Sequence, residues 1–162
     1  MDQEKMIERN WRVMVKISHL FFHFWRQTVL EKYGTEEADK LILSFWEKMG
    51  ANTANSYLKI AKIDPDNLEQ VAGGAARSSE IMGEKVTVEK DGDAYLLIHH
   101  ECPWIESYRE AGAPGMCKTG CDRWFAATVA AMSPGLGVET LSSLAVGDDK
   151  CVRKFYKNKV AK

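Results

Sequence analysis

The spacing of hydrophobic residues changes abruptly near residue 84, and this change limits what the chain can fold into. Before it, apolar side chains recur every three or four residues, as at Ile7, Trp11 and Met14, which is typical of an amphipathic helix. After it, residues 85–90 alternate between polar and apolar, and Asp91-Gly92 follows as a two-residue hairpin turn. Helices followed by hairpins predict an α+β domain.

The pattern predicts one domain, residues 1–162, with a helical half at 1–83 and a cysteine-bearing sheet half at 84–162. The helices are predicted over residues 3–33, 35–63, 65–82, 105–111 and 123–132. The strands are predicted over residues 85–90, 94–100, 136–146 and 151–157. We expect the N-terminal helices to pack on one face of a four-stranded antiparallel sheet.

Composition narrows the classes of partner. A chain of 162 residues, 45% of them hydrophobic, can bury roughly 70% of its unfolded surface without needing disulfides to fold. Its 22 basic and 23 acidic residues give a net charge of −1, and no charge run suggests a nucleic-acid or membrane surface. No apolar stretch reaches the roughly 18 residues that a membrane span requires. We therefore expect no nucleic acid and no membrane among its partners.

The N-terminus is charged and leads into an amphipathic helix, which does not match a signal peptide. We therefore expect a cytoplasmic protein with reduced thiols, in which a disulfide framework is the less favoured reading. A small-molecule ligand or substrate is the expected partner, and a homo-oligomer is an open alternative.

Four cysteines lie in the last third of the chain, and none precedes them. They are Cys102, Cys117, Cys121 and Cys151, each near a turn signal. Together they predict a tetrahedral zinc site, with an iron–sulfur cluster as the alternative. In a simple meander, the end of the second strand and the start of the fourth can lie at opposite edges of the sheet. Convergence therefore depends on a strand order that the sequence leaves open.

A nucleophilic site is the second interpretation of the same thiols. Cys121 is expected at the start of a helix, where the dipole lowers a thiol pKa, with Asp122 orienting water or substrate. His99 or His100 would act as base, and we favour His100 because it shares strand parity with Cys102. The plainest alternative is that the cysteines pack in the core as small hydrophobes.

The residues around the cysteines supply candidate substrate contacts. Trp104, Tyr108, Arg109 and Trp124 flank them, and Arg109 is predicted to clamp a substrate carboxylate. The alternative for Arg109 is a surface ion pair with Glu106 or Glu110. His19 and His23, one helical turn apart, are candidates for metal or cofactor contact or for the rim of a core helix.

The second half of the chain also carries a recognisable series of motifs. They are Cys102-Pro103-Trp104, residues 108–114, Cys121-Asp122, Pro134-Gly135, and Gly147-Asp148 with Cys151. In order and spacing, this series resembles the L-2-amino-thiazoline-4-carboxylic acid hydrolase family. A more distant likeness is to four-vinyl-reductase-type ligand-binding domains.

The first resemblance implies hydrolytic opening of a small ring that contains sulfur and nitrogen. The second implies small-molecule sensing near a zinc-thiolate site. Three features depart from the resemblance: Cys117 is an additional thiol, residues 150–153 replace the acidic and aromatic residues expected around the final cysteine, and the pair His99-His100 just before Cys102 is unusual.

Overall fold

The computed structural model describes residues 2–158, so residues 1 and 159–162 of the predicted domain lie outside it. The helices are α1 (Gln3–Tyr33), α2 (Thr35–Lys59), α3 (Leu68–Ile81), α4 (Pro103–Glu110) and α5 (Pro114–Met132), with a 3-10 turn at Leu144–Val146. The strands are β1 (Lys85–Asp91), β2 (Ala94–Glu101), β3 (Leu136–Ser142) and β4 (Cys151–Lys157). The assignment of all 162 residues to a single domain stays a prediction.

Four antiparallel strands form one sheet in the order β1-β2-β4-β3, and the helices pack against it. The predicted α+β architecture is therefore confirmed. β3 ends at Ser142 and not at the predicted Val146, because the chain turns there into the 3-10 turn. The side chain of Ser143 caps that turn by accepting a hydrogen bond from the amide of Ala145.

The second and third helices differ from their predicted bounds. Helix α2 ends at Lys59 and not near Ile63, and α3 begins after Asn67 and not after Asp64. The Asn67 side chain accepts hydrogen bonds from two amides of the first turn of α3, which is the ordinary N-cap interaction. The prediction chose Asp64 because the following proline also suits a helix start.

Helix α5 is the largest departure from the prediction. It begins at Pro114, nine residues before the predicted start at Arg123, and Gly115 and Gly120 both lie inside it. Glycine weakens a helix, so this segment was interpreted as a loop. Gly120 lies directly against the indole of Trp46, where a side chain would collide, and tertiary packing therefore compensates for the poor propensity.

Two hydrophobic clusters hold the layers together. One lies between the sheet and helices α2, α3 and α5, and includes Val71, Leu97 and Phe155, each at most 1% exposed. The other lies between α1, α2, α4 and α5 and includes Ile42 and Tyr108. The functional site described below lies between these clusters.

Helix α1 leaves several large apolar side chains in solvent, among them Phe21 and Phe24 at 72% and 66% exposure. The homo-oligomer considered from the sequence stays a prediction.

Within the described part of the chain, residues 2–158, no helix has both the length and the apolar character needed to cross a membrane. The expected cytoplasmic location is likewise still a prediction.

Helices α2 and α5 cross at Gly50. A Cβ atom at this position would lie 2.9 Å from the Cβ of Ala127 and closer still to the carbonyl oxygen of Trp124. The hydroxyl of Thr128 donates a hydrogen bond to the carbonyl of Gly50 at 3.1 Å. The two backbones can therefore approach this closely only because residue 50 lacks a side chain.

We predict that Gly50→Ala lowers the free energy of unfolding by about 2 kcal/mol, since overpacking outweighs the gain in helix propensity. Gly73→Ala is the matched control, because a Cβ there meets nothing within 4 Å. It should raise the unfolding free energy by up to about 1 kcal/mol. Urea denaturation of both variants measures the difference, and equal changes in the two proteins would contradict the prediction.

Candidate functional site

A cavity of about 280 Å³ lies between the buried face of β2 and β4 and the helices that cover it, and we call it the inner cavity. Its lining residues with chemically active side chains include Glu84, His99, Cys102, Cys117, Cys121, Cys151 and Arg153. The four predicted cysteines thus line one cavity, and all are free thiols.

The strand order brings the two sheet cysteines to the same end of the sheet. Strands β2 and β4 are antiparallel neighbours, and their register places His99 opposite Cys151. Cys102 follows directly after the last residue of β2, and Cys151 is the first residue of β4. The convergence that the sequence could not decide therefore follows from the crossover that inserts β4 beside β2.

Cys117 and Cys121 both lie in α5, four residues apart, so they project from the same side of the helix. The prediction that Cys121 stands at a helix start is wrong, because α5 begins at Pro114. The helix dipole acts only over the first turn and therefore does not act on Cys121.

A different effect favours the thiolate of Cys121. Hydrogen bonding from the Cys117 thiol lowers the pKa of Cys121 against the opposing effect of burial, and the charge of Arg153 lowers it further. The same hydrogen bond, with burial, raises the pKa of Cys117. The hydrogen bond therefore favours the proton on Cys117 and the negative charge on Cys121. Burial also raises the pKa of Cys102, which stays a neutral thiol.

Arg153 is the buried cation of the inner cavity, which the partly exposed Lys118 also lines, and it was not among the predicted site residues. It is 2% exposed and shares a face of β4 with Cys151 and Phe155. Its guanidinium carbon lies 4.6 Å from the ring centroid of Phe125, a cation–π contact. Burial opposes the charge of Arg153, but the nearby sulfurs outweigh this and raise its pKa. Its position two residues after Cys151 was the available signal, because residues i and i+2 of a strand face the same side.

His99, and not His100, lies in the inner cavity. The Nε2 atom of His99 is 2.9 Å from a carboxylate oxygen of Glu84 and 3.1 Å from the hydroxyl of Ser79. His100 is exposed and pairs with the hydroxyl of Thr87 at 2.9 Å. The parity argument for His100 fails because β2 ends before Cys102, which begins the turn into α4.

The predicted substrate contacts divide into two groups. Trp104, Tyr108 and Trp124 line the inner cavity. Arg109 does not; it forms the alternative ion pair, with Glu106, at 2.8 Å.

Asp122 also stays outside the inner cavity, although it follows Cys121 directly. Its carboxylate accepts hydrogen bonds from the hydroxyl of Thr140 at 2.6 Å and from Lys118 at 2.5 Å. These contacts leave Asp122 joining α5 to β3 and not facing the thiols.

Among the described residues, no arrangement of side chains matches the predicted metal site. Among residues 2–158, no three His, Cys, Asp or Glu side chains are grouped so that they could hold a metal ion. Cys102, Cys117, Cys121 and Cys151 line the same space but are not arranged as a tetrahedron of ligands. Zinc, or an iron–sulfur cluster, therefore stays a prediction.

A larger cleft of about 1020 Å³ lies on the other side of Cys102, between α1 and α4, and we call it the outer cleft. It includes His100 and Arg109 and shares Glu84 and Cys102 with the inner cavity. Of the three predicted site residues missing from the inner cavity, His100 and Arg109 thus lie in a neighbouring cleft, and Asp122 lies in neither space.

His19 and His23 also line the outer cleft. The ring of His19 lies on that of Trp104, with 3.8 Å between centroids, and Nε2 of His23 is 3.0 Å from the hydroxyl of Ser107. Burial, with a smaller effect of His23, lowers the pKa of His19 to about 4. Burial is also the main cause that lowers the pKa of His23.

Unpaired buried polar atoms concentrate around these two spaces. Within the described residues, seven buried side-chain nitrogen or oxygen atoms have no hydrogen-bond partner, and every one belongs to a residue that lines the inner cavity or the outer cleft. Those of the inner cavity are in Trp46, His99, Tyr108 and Arg153. An unsatisfied buried polar group costs about 1–3 kcal/mol, so this concentration favours sites that bind polar ligands.

Comparison with protein families gives one match. The family described as L-2-amino-thiazoline-4-carboxylic acid hydrolase matches residues 14–155. No curated protein matches the chain significantly. The match covers both the helical half and the cysteine-bearing half, and it confirms the first resemblance found in the sequence.

Solved structures with the same fold include two ligand-bound proteins. The phenol-responsive sensory domain of the transcription activator PoxR, crystallised with phenol, is 12% identical with a TM-score of 0.60, over 86% of this chain and 74% of that chain. A trafficking protein particle complex subunit 3 from Naegleria fowleri, covalently bound to palmitic acid, is 13% identical with a TM-score of 0.60, over 93% and 98% of the two chains. The likeness to ligand-binding sensory domains is therefore confirmed at the level of the fold.

We predict that Cys121 titrates below the pH range of an ordinary thiol, whose pKa is about 8.5. Cys117→Ala removes the hydrogen-bond donor and should raise the pKa of Cys121. Thiolate absorbance in the ultraviolet, recorded against pH, measures the first titration midpoint. Cys102→Ala is the matched control, since Cys102 stays a neutral thiol, and it should keep a low midpoint. An unchanged midpoint in Cys117→Ala would refute the assignment.

We predict a second pH effect, on stability. The pKa of His19 is about 4 in the folded chain and about 6.5 in the unfolded chain, so only the unfolded state takes up this proton between those values. Its contribution to stability is complete above about pH 6.5 and is lost as the pH falls towards about 4. Urea unfolding at about pH 7 and about pH 4.5 should show a loss on the order of 2 kcal/mol that His19→Leu reduces. The exposed control, His100→Leu, should retain the loss, and an equal loss in His19→Leu would contradict this account.

Proposed function

Because the chain belongs to the L-2-amino-thiazoline-4-carboxylic acid hydrolase family, we propose that it is a hydrolase that opens a small ring containing sulfur and nitrogen. The reaction takes place in the inner cavity, with Cys121 as the nucleophile. The observation that carries this proposal is the position of Cys121 in a cavity of about 280 Å³, where a hydrogen bond from Cys117 and the charge of Arg153 lower its pKa. Ligand pockets usually measure roughly 300–1,000 Å³, so this volume suits a compact substrate.

The proposed reaction has two steps. The thiolate of Cys121 attacks the ring carbon that lies between sulfur and nitrogen, and a C–S bond forms. The C–S bond of the ring breaks, and its electron pair passes to the ring sulfur, which takes a proton and becomes a free thiol. Water then attacks the same carbon, the bond to Cys121 breaks, and the thiolate returns. The water places one proton on the former ring nitrogen and restores the other to the base, so that one water molecule is consumed for each ring opened.

His99 is the residue best placed to move these protons. Its Nε2 atom is held by Glu84 and Ser79, and its Nδ1 atom has no partner within residues 2–158. A carboxylate that orients an imidazole leaves the second ring nitrogen free for proton transfer. We therefore assign to His99 and Glu84 the role that the sequence suggested for His100 and Asp122.

Aromatic side chains complete the proposed substrate site. Trp104, Tyr108 and Trp124 would pack against the faces and edges of the ring and exclude water from the thiolate. The hydroxyl of Tyr108 is buried without a partner in the described chain and is available to donate to a substrate heteroatom. Burial raises the pKa of Tyr108, which keeps this donor protonated.

A zinc-activated water is the alternative route to the same reaction, with the four cysteines as ligands and an iron–sulfur cluster as a further alternative. A non-catalytic ligand-binding or sensor module is the second candidate function. The observation that favours it is the fold shared with the phenol-responsive sensory domain of PoxR. The thiol-release experiment below separates these candidates.

We predict that Cys121→Ser slows thiol release from 2-amino-thiazoline-4-carboxylate on the order of a thousandfold or more, because serine is not ionised at neutral pH. Thiol release is followed with a chromogenic disulfide. Cys102→Ser is the matched variant: a nucleophilic mechanism leaves its rate within about tenfold of wild type, whereas a zinc site would lose activity in both.

The metal content of each protein is measured on the same samples. Equal rates in wild type and Cys121→Ser would remove Cys121 as the nucleophile. Ligand binding without any thiol release would favour the sensor.

A further inference from the structure

Among residues 2–158, the guanidinium of Arg153 is a deeply buried charge that forms no ion pair with a carboxylate. It is 2% exposed, and its Nε atom has no hydrogen-bond partner within residues 2–158. A buried cation is ordinarily paired with a carboxylate, because desolvation of an unpaired charge is costly. Arg153 lines the inner cavity, so the unsatisfied side chain lies at the edge of a space that can accept a ligand.

The acidic side chains around the inner cavity are engaged elsewhere. Glu84 lies 2.9 Å from Nε2 of His99. Asp122 accepts hydrogen bonds from Lys118 and Thr140 and does not line the cavity. Neither carboxylate forms an ion pair with Arg153. The sulfurs of Cys121 and Cys151, and more weakly the charge of Asp122, raise the pKa of Arg153.

The position of Arg153 is held from two sides. Its register partner on β2 is Leu97, which is fully buried, and its guanidinium lies over the ring of Phe125 at 4.6 Å. A guanidinium held this way offers fixed N–H groups, which match the two oxygens of a carboxylate. Less of the side chain therefore has to be ordered when a ligand binds.

We propose that Arg153 binds the carboxylate of a compact heterocyclic carboxylic acid in the inner cavity. The inference rests on the proposed function, since it identifies the substrate group that orients the ring carbon towards Cys121. It assigns to Arg153 the carboxylate clamp that the sequence suggested for Arg109, whose charge is paired with Glu106 in the outer cleft.

The test uses two probes that the proposed reaction cannot open, thiazolidine-4-carboxylate and its carboxamide, because neither has an amidine carbon. Isothermal titration calorimetry measures both dissociation constants with the full chain. The carboxylate should bind to wild type at least about 30-fold more tightly than the carboxamide, and Arg153→Gln should lose that preference. Arg153→Lys, which retains the charge but not the planar fork, should keep part of it.

The matched control is Lys154→Gln, the same loss of charge on the next residue of β4, where Lys154 pairs with Asp91 at 2.8 Å. It should bind the carboxylate as wild type does. Equal binding of the two probes by wild type, absence of carboxylate binding, or loss of binding in Arg109→Gln with wild-type binding in Arg153→Gln overturns the inference. If Arg153→Gln does not fold, the comparison of the two probes on wild type still tests the inference.

Failure of this inference and failure of the proposed function give different results. Arg153-dependent binding of the carboxylate without any thiol release from the aminothiazoline supports the inference and contradicts the hydrolase. Thiol release by Arg153→Gln with a wild-type KM leaves the hydrolase in place and overturns the inference.

Discussion

The pairing of β2 with β4 is the constraint on which the rest of the site depends. It places His99 opposite Cys151 and brings the end of β2, with Cys102, to the end of the sheet where β4 begins. Helix α5 crosses above this point and adds Cys117 and Cys121. A meander with β3 beside β2 would leave the same residues in the chain without a common cavity. The order of the strands therefore determines which side chains can act together in one cavity.

Within the inner cavity, two residues of the same type differ in pKa because their electrostatic surroundings differ. Cys117 and Cys121 are one helical turn apart, but the hydrogen bond between them, with the charge of Arg153, lowers the pKa of Cys121, and the same hydrogen bond raises the pKa of Cys117. Burial strengthens both interactions, since charges and dipoles act over a low dielectric there. The thiolate and the guanidinium each reduce the cost of burying the other. A ligand carboxylate near Arg153 would therefore bind in a charged environment and not in an apolar pocket.

The inner cavity and the outer cleft meet at Glu84, Cys102 and Ile105. Unpaired polar atoms line both spaces, and two of those in the inner cavity belong to Trp46 and Tyr108, which also pack in the second hydrophobic cluster. Polar groups left unsatisfied in this way reduce stability, and they persist where binding compensates for the cost. The concentration of unsatisfied polar atoms around the two spaces therefore indicates where the molecule binds its ligand. The exposed side of α1 extends to the outer cleft, which Leu20 and Phe24 line, whereas Phe21 lines neither space.

The sequence by itself determined the α+β class, most element positions and the set of thiols, because hydrophobic period and turn residues are local properties. It did not determine the length of α5, since Gly115 and Gly120 weaken a helix that packing against Trp46 restores. Strand order, the choice of His99 over His100, and the burial of Arg153 were decided only by the tertiary structure. Each depends on which distant segments become neighbours, and a pattern along one strand carries no information about the strand that will lie beside it.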